Sequence, residues 1–191
     1  QGARRRVHVY APPGYGKEKD RRYPVLYLLH GSGDDDSHWT QLGQAHVIAD
    51  NLIADGKAAP MLIVMTDGHV SVPPKEGEDA EARRARASGA FERDLLDHVV
   101  PLVESEYRAN AARDARGIGG LSMGGGQSLG TGLRNVDRFA WVGGFSASTR
   151  GWEKGVPGMA DAAKVNADLR LLWIAIGKED FLLEPNRKFD A

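Results

Sequence analysis

The stretch GIGGLSMGGGQS, residues 117–128, constrains the fold of this chain most strongly. It has the pattern of a strand end, a serine between glycines and the first turn of a helix. Gly120-Leu121-Ser122-Met123-Gly124 fits the G-x-S-x-G pattern, in which glycines permit a sharp turn from strand to helix. Such a turn exposes the serine at the carboxyl edge of a sheet, so the pattern predicts an α/β structure.

Apolar runs with the length of strands alternate with helical segments along the chain. YPVLYLLHG, residues 23–31, and MLIVMT, residues 61–66, are continuous apolar runs that are typical of strands buried on both faces. Further strands are predicted within RRRVHVYAPPGY, ARGIGGL, FAWVGGFS and LRLLWIAIG. The alternation predicts one α/β domain over residues 1–191, with a mostly parallel central sheet and helices on both faces.

Two segments between the strands carry further expectations. Residues 42–55 are predicted to form a helix that stops at Gly56. One face of this helix is formed by Ala45, Ile48, Leu52 and Ile53. Residues 67–90 contain two prolines and many charges, which predicts a loop. A solvated insertion is the favoured reading of that loop, and a lid or substrate-contacting loop is the alternative.

A helix is predicted after this loop from an apolar row at a spacing of four residues. The row consists of Phe91, Leu95, Val99, Val103 and Tyr107. Pro101 should kink or divide the helix, because proline cannot donate to the helical ladder. A second helix is predicted to follow Ser122 and to end near Arg134.

Composition excludes several classes of protein. The net charge of −1 gives no electrostatic case for binding nucleic acid or an anionic membrane surface. No apolar run approaches the roughly eighteen residues that span a bilayer. The absence of cysteine excludes a disulfide scaffold, a thiolate metal site and a cysteine nucleophile. The expected partners therefore include neither nucleic acid nor a membrane.

The serine turn suits nucleophilic catalysis. Ser122 would be exposed on a strained backbone, and the N–H of Met123 would point into the site beside a helix N-terminus. Acyl transfer needs a second N–H donor, which this architecture takes from the loop after an earlier central strand. HGSG, residues 30–33, supplies that loop, with the N–H of Ser32 as the predicted donor and that of Gly31 as the alternative.

Other residues of this loop have less specific roles. His30 is predicted to brace the loop by hydrogen bonding, and Trp39 is either a core residue or a wall of the acyl pocket. The acidic triplet of residues 34–36 could hold a cation, but a solvated turn is the favoured interpretation. For the acid that orients a histidine base, Asp180 is predicted, because it follows the last buried strand. Glu179 is its rival.

Several segments together resemble the bacterial feruloyl and acetyl-xylan esterases of carbohydrate esterase family one. These esterases belong to the esterase D-like group of the α/β-hydrolases. The similar segments are APPGY, YPVLYLLHGSG, HVIADNLIADG, GGLSMGGGQSL, DRFAWVGGFSA and LLWIAIGKEDFLL. The resemblance runs from near the first strand to the end of the chain, and the run SMGGGQ makes it more specific than G-x-S-x-G alone.

The resemblance implies a secreted serine esterase without metal or cofactor that releases ferulate or acetate from xylan. Carried over by position, it gives Ser122 as nucleophile, Asp180 as acid, and the N–H groups of Ser32 and Met123 as oxyanion donors. Feruloyl ester hydrolysis is the preferred reading. The alternatives are an acetyl-xylan or general short-chain carboxylesterase, and a catalytically silent relative that only binds carbohydrate or protein.

The resemblance identifies no residue of this sequence as the histidine base. Members of the family continue past the acid with another strand, a Gly-Gly-His-like segment that bears the histidine, and a closing helix. The present chain ends at Ala191, inside a helix expected to begin near Leu183. The fold is therefore expected to lack its last strand and helix and to expose a sheet edge that could pair with a second copy. His69 lines the pocket in this reading and is the one alternative base within the chain.

Overall fold

A six-stranded sheet forms the centre of the computed structural model, which describes residues 4–159 and 161–190. In chain order the strands are β1 (Val7–Tyr10), β2 (Val25–Leu29), β3 (Leu62–Thr66), β4 (Arg116–Leu121), β5 (Trp141–Phe145) and β6 (Leu171–Ala175). Their order across the sheet is β1-β3-β2-β4-β5-β6. Only β1 pairs antiparallel, with β3, and all other neighbours are parallel. The predicted mostly parallel α/β sheet is confirmed.

Helices connect the strands on both faces of the sheet. They are α1 (His38–Gln41), α2 (Ala45–Ala54), α3 (Ala80–Asp94), α4 (Val100–Glu106), α5 (Met123–Arg134), α6 (Ala162–Asp168) and α7 (Leu183–Asp190). A π-helical turn, Leu95–Val99, joins α3 to α4 without interruption, and a 3-10 turn, Arg113–Ala115, precedes β4. None of the described helices is long and apolar enough to cross a membrane.

The larger core lies between one face of the sheet and the helices from α3 to α5. Alternate residues of β2 face it, namely Val25, Tyr27 and Leu29, and they meet the apolar row of the α3–α4 helix. The smaller core lies on the opposite face, where Leu28, Ile63 and Met65 pack against Ala49 of α2. Because β2 and β3 contribute to both cores, their sequences are nearly continuous apolar runs, as predicted.

The segment predicted as a loop over residues 67–90 is a loop only as far as Asp79. Helix α3 begins at Ala80, and the Asp79 carboxylate caps it by accepting the N–H of Ala82 at 2.8 Å. The first half of α3 is exposed and charged, so it lacks the apolar periodicity that identifies a helix. The helix is not divided at Pro101, which lies in the first turn of α4; the predicted irregularity is the π turn Leu95–Val99 that precedes α4.

The prediction of one helix over residues 42–55 also needs correction. Helix α1 ends at Gln41, and α2 extends from Ala45 to Ala54. Ile48 and Leu52 of the predicted face are 53% and 38% exposed, whereas Ala49 is buried. The small side chain of Ala49 permits close packing of α2 on the sheet, which leaves the larger residues at the flanks.

The acidic triplet is not a solvated turn throughout. Asp36 is only 4% exposed, and its carboxylate oxygens lie 2.9 Å from Arg6 Nη2 and 2.9 Å from His8 Nδ1. These two partners come from the first strand region, far away in sequence. The prediction was wrong for Asp36 because a local pattern of acidic residues carries no information about such a distant pairing.

One end of the sheet has an uncovered apolar face. Trp141 and Phe145 of β5 and Leu171 and Trp173 of β6 point to the side that carries α2, but α2 covers only the other strands. These four side chains are between 40% and 53% exposed. We call them the apolar sheet face. Strand β6 is the edge strand at this end, in line with the expected unpaired edge.

Candidate active site

The backbone at Ser122 has a conformation that few residues other than glycine adopt. Ser122 lies between β4 and α5 with φ 54° and ψ −110°. Its N–H donates to Phe145 O at 2.9 Å, and its carbonyl oxygen accepts from the N–H groups of Gly126 and Ser148 at 3.0 and 2.9 Å. Three hydrogen bonds to fixed neighbours thus hold a strained residue in place, an arrangement that clusters at functional sites.

The glycines on either side of Ser122 are required by contact between backbones. A Cβ atom on Gly124 would lie 2.4 Å from His30 O, and one on Gly120 would lie 2.7 Å from the carbonyl group of Gly124. Neither position has room for a side chain. The G-x-S-x-G pattern therefore brings α5 directly against β2 and β4 and places Ser122 at the carboxyl end of the sheet, as predicted.

Two backbone N–H groups near Ser122 are available to an incoming oxygen. Met123 is the first residue of α5, and neither its N–H nor that of Ser32 donates to any of the described residues. By contrast, the N–H of Gly31 donates to Asp34 Oδ2 at 3.2 Å. An ideal Cβ on Gly31 would be 3.7 Å from Ser122 Cβ, so this loop directly adjoins the serine.

His30 braces the loop, as predicted. It is 2% exposed, and its Nδ1 lies 2.8 Å from Gly31 O, while Nε2 accepts the N–H of Gly68 at 2.9 Å. Accepting at Nε2 places the ring hydrogen on Nδ1, which donates to the carbonyl. Gln127 of α5 donates its Nε2–H to Gly68 O at 2.8 Å. His30 and Gln127 together fix Gly68, and with it the turn after β3.

The same turn contains a group of residues with metal-ligand chemistry. Ligand atoms of His30, Asp67 and His69 lie within 4.8 Å of one another, and His30 Nε2 is 3.3 Å from Asp67 Oδ1. However, Gly68 N–H already occupies the Nε2 lone pair, and His69 N–H donates to Asp67 Oδ1 at 2.8 Å. A metal ion would have to displace the first of these donors, so the arrangement fits a hydrogen-bonded turn better than a metal centre.

His69 is exposed at the rim of the site, with its ring centroid 5.2 Å from that of His30. Within the described part of the chain, no histidine hydrogen-bonds to the Ser122 or Asp180 side chain. The described residues therefore provide a serine and nearby N–H donors, but no histidine that is hydrogen-bonded to the serine. His69 as base stays a prediction.

Asp180 follows the carboxyl end of β6, at the same edge of the sheet as Ser122. It is half-buried, and its Oδ1 accepts the N–H of Leu182 at 2.8 Å ahead of α7. Its other carboxylate oxygen makes no hydrogen bond to a described residue. Glu179, the rival acid, is exposed. The placement agrees with the expectation for Asp180, whose role as the acid of a triad stays a prediction.

A cavity of about 260 Å³ opens beside the serine turn. It is lined by His30, Gly31, Asp34, His38, Trp39, Leu42, Gly43 and Leu121. Ser122 itself does not line it, but Leu121 and Gly31 are its direct neighbours. Trp39 combines the two roles that the sequence left open, because it packs on the smaller core and forms a wall of the cavity.

Comparison with known proteins gives a consistent result. A family model described as putative esterase matches residues 1–188. Over 151 residues the chain is 37% identical to an endo-1,4-β-xylanase/feruloyl esterase from Xylanibacter ruminicola, and the match covers 78% of this chain and 20% of that protein. The chain thus spans about a fifth of the length of this curated relative.

Solved structures show the same architecture. A ferulic acid esterase, 29% identical, matches with a TM-score of 0.78 over 97% of this chain and 78% of that chain. A feruloyl esterase module from Clostridium thermocellum, complexed with sinapinate, is 21% identical and matches with a TM-score of 0.75 over 96% of this chain and 65% of that chain. The α/β-hydrolase fold expected from the sequence is therefore confirmed.

Proposed function

Because the chain belongs to the putative esterase family, we propose that it is a carboxylic ester hydrolase with Ser122 as its nucleophile. The observation that carries this proposal is the backbone of Ser122, which is held at φ 54° between glycines that no other residue could replace. A purely structural serine has no need of this strain. The turn instead favours a hydroxyl that must be presented to a substrate.

In the proposed reaction, Ser122 Oγ attacks the ester carbonyl and the alcohol leaves from a tetrahedral intermediate. The N–H groups of Ser32 and Met123 stabilise the oxyanion, and the N-terminus of α5 adds a favourable field. Water then hydrolyses the acyl-enzyme in a second step of the same kind. Neither step requires a cofactor.

Proton transfer in both steps needs a base, and a histidine oriented by Asp180 is the proposed one. The resemblance expects this histidine in a Gly-Gly-His-like segment, which does not occur among these 191 residues. His69 is the alternative within the chain. Its position on a turn fixed by His30 and Gln127 keeps it at the rim of the site.

We further propose that the acyl group is ferulate and that the ester is part of xylan. The names of the Xylanibacter relative and of the solved ferulic acid esterase support this substrate, and the apolar cavity beside Ser122 suits an aromatic acyl group. Xylan is an extracellular polymer, so secretion belongs to the same proposal. A short-chain esterase would use the same turn and differ only in the acyl group that it prefers.

The test compares hydrolysis of methyl ferulate and 4-nitrophenyl acetate, together with labelling by a fluorophosphonate. Ser122→Ala should abolish the labelling and, where a histidine base serves Ser122, lower both hydrolysis rates at least about 10³-fold. Ser128→Ala is a matched control, because Ser128 is fully buried in α5 and its Oγ has no hydrogen-bond partner among the described residues. Hydrolysis and labelling that are equal in wild type and Ser122→Ala would refute the proposal. A preference for acetate over ferulate would favour the short-chain esterase.

A further inference from the structure

The cavity beside Ser122 has a rigid aromatic wall. Trp39 Nε1 donates to Leu29 O at 2.9 Å, which ties the indole to the end of β2. A Cβ on Gly43 would lie 2.6 Å from the Trp39 ring, so the absence of a side chain there lets the ring approach the backbone closely. Leu42 and Leu121 complete an apolar lining. A flat aromatic group is the ligand that such a wall favours.

One polar pair interrupts this apolar lining. His38 Nε2 lies 3.1 Å from Asp34 Oδ1, and both residues line the cavity. Asp34 is anchored in turn, because its Oδ2 accepts the N–H of Gly31. The other ring nitrogen of His38, Nδ1, makes no hydrogen bond to any described residue, so it can accept one from a ligand. The lining of the cavity thus includes an imidazole beside an anchored carboxylate.

We propose that His38 is a specificity-determining residue that accepts a hydrogen bond from the phenolic hydroxyl of a hydroxycinnamoyl group. The aromatic ring would pack against Trp39 and Leu121, with the ester carbonyl towards Ser122. Asp34 would act as a positioning residue, because it fixes the orientation of the His38 ring. This inference rests on the proposed function and names the chemical feature of the acyl group that the site would recognise.

The hydroxyl is the informative group because an apolar pocket alone discriminates weakly. A site that hydrogen-bonds a hydroxyl penalises an analogue without it, since its own polar group is then left unpaired. Ferulate carries a free phenolic hydroxyl, and 3,4-dimethoxycinnamate carries a methyl ether at the same position. Binding of these two acids, measured by isothermal titration calorimetry, needs no catalytic step.

The wild-type chain should bind ferulate about tenfold more tightly than 3,4-dimethoxycinnamate, the effect of about one hydrogen bond. In His38→Phe the ratio should fall to about one, mainly through weaker ferulate binding. His38→Gln retains an acceptor and should restore part of the ratio. His98→Phe is the control, because His98 is exposed on the π turn, outside the cavity lining. Unfolding curves of the variants check that the fold is retained.

Equal affinities for the two acids in wild type, no binding of either acid, an unchanged ratio in His38→Phe, or no restoration in His38→Gln would each overturn the inference. Failure of the esterase proposal is recognised separately with 4-nitrophenyl acetate, whose acyl group carries no phenolic hydroxyl for His38 to bind. Ser122-dependent hydrolysis of that ester without discrimination at the phenol would leave the esterase standing and refute the role of His38.

Discussion

Replacement of Gly120 by alanine tests the close contact on which the serine turn depends. An ideal Cβ at this position lies 2.7 Å from both C and O of Gly124 and 2.8 Å from Leu29 O. These contacts are all with backbone atoms, so no side chain can rotate away. Since ordinary contacts of Cβ atoms begin near 3.4 Å, α5 and β2 would have to move by about 0.7 and 0.6 Å relative to β4.

The energetic cost follows from this displacement. Overpacking costs about 1–3 kcal/mol, and we expect the upper end because two backbone segments must move together. The lower entropy of alanine in the unfolded chain returns about 0.4–1 kcal/mol. Gly120→Ala should therefore lower the free energy of unfolding by about 2–3 kcal/mol. Gly119→Ala is the matched control in the same strand, because its nearest contact would be an ordinary 3.6 Å to Gly143 O.

Urea unfolding followed by circular dichroism measures both effects. With a slope of about 2 kcal/mol per M, the midpoint of Gly120→Ala should fall by about 1 M or more. The midpoint of Gly119→Ala should stay unchanged or rise. Equal midpoints for the two variants would refute the argument. They would show that β4 requires glycine for some reason other than close contact between backbones at Gly120.

Three further outcomes are expected. Ser122→Gly should have a free energy of unfolding about 1 kcal/mol higher than Ser122→Ala, because glycine relieves the strain at φ 54°; equal values by urea unfolding would contradict the strain. Hydrogen bonds from Arg86 lower the pKa of Glu78 to about 2, so the stability from this pair should be lost as pH falls from about 4.5 through 2. Titration of Glu78 by NMR checks this, and Arg86→Gln should return the pKa to near 4.5. The apolar sheet face should cause concentration-dependent association in sedimentation velocity, which Trp173→Lys should weaken; a wild-type chain that stays monomeric at all concentrations would contradict this.

The strands of the sheet were predictable because a strand buried on both faces appears in the sequence as a local run of apolar residues. In β3 every residue from Leu62 to Thr66 is buried, and the run of apolar residues reflects this directly. The start of α3 was not predictable because its first six residues, 80–85, face solvent and half of them are charged, so no apolar stripe distinguishes them from a loop. The sequence feature that indicates the start of α3 is Asp79, a capping residue directly before the first turn.

The candidate site was predictable as far as it is built from one contiguous motif. Ser122, Gly120 and Gly124 lie within five residues, and their geometry follows from contacts within that turn and with β2. The role of Gln127 in holding Gly68 was not predictable, although Gln127 lies in the same run of sequence as Ser122. Its partner Gly68 is 59 residues away, and only the folded sheet brings the two together.

The glycines that allow α5 to pack so closely also determine when this helix can form. Five of its twelve residues are glycine, and each costs about 1 kcal/mol relative to alanine in a helix interior. An isolated α5 segment would therefore stay in the coil state, and contact with β2 and β4 has to supply the missing free energy. The serine turn should therefore form late in folding, and partly folded chains should lack a formed active site.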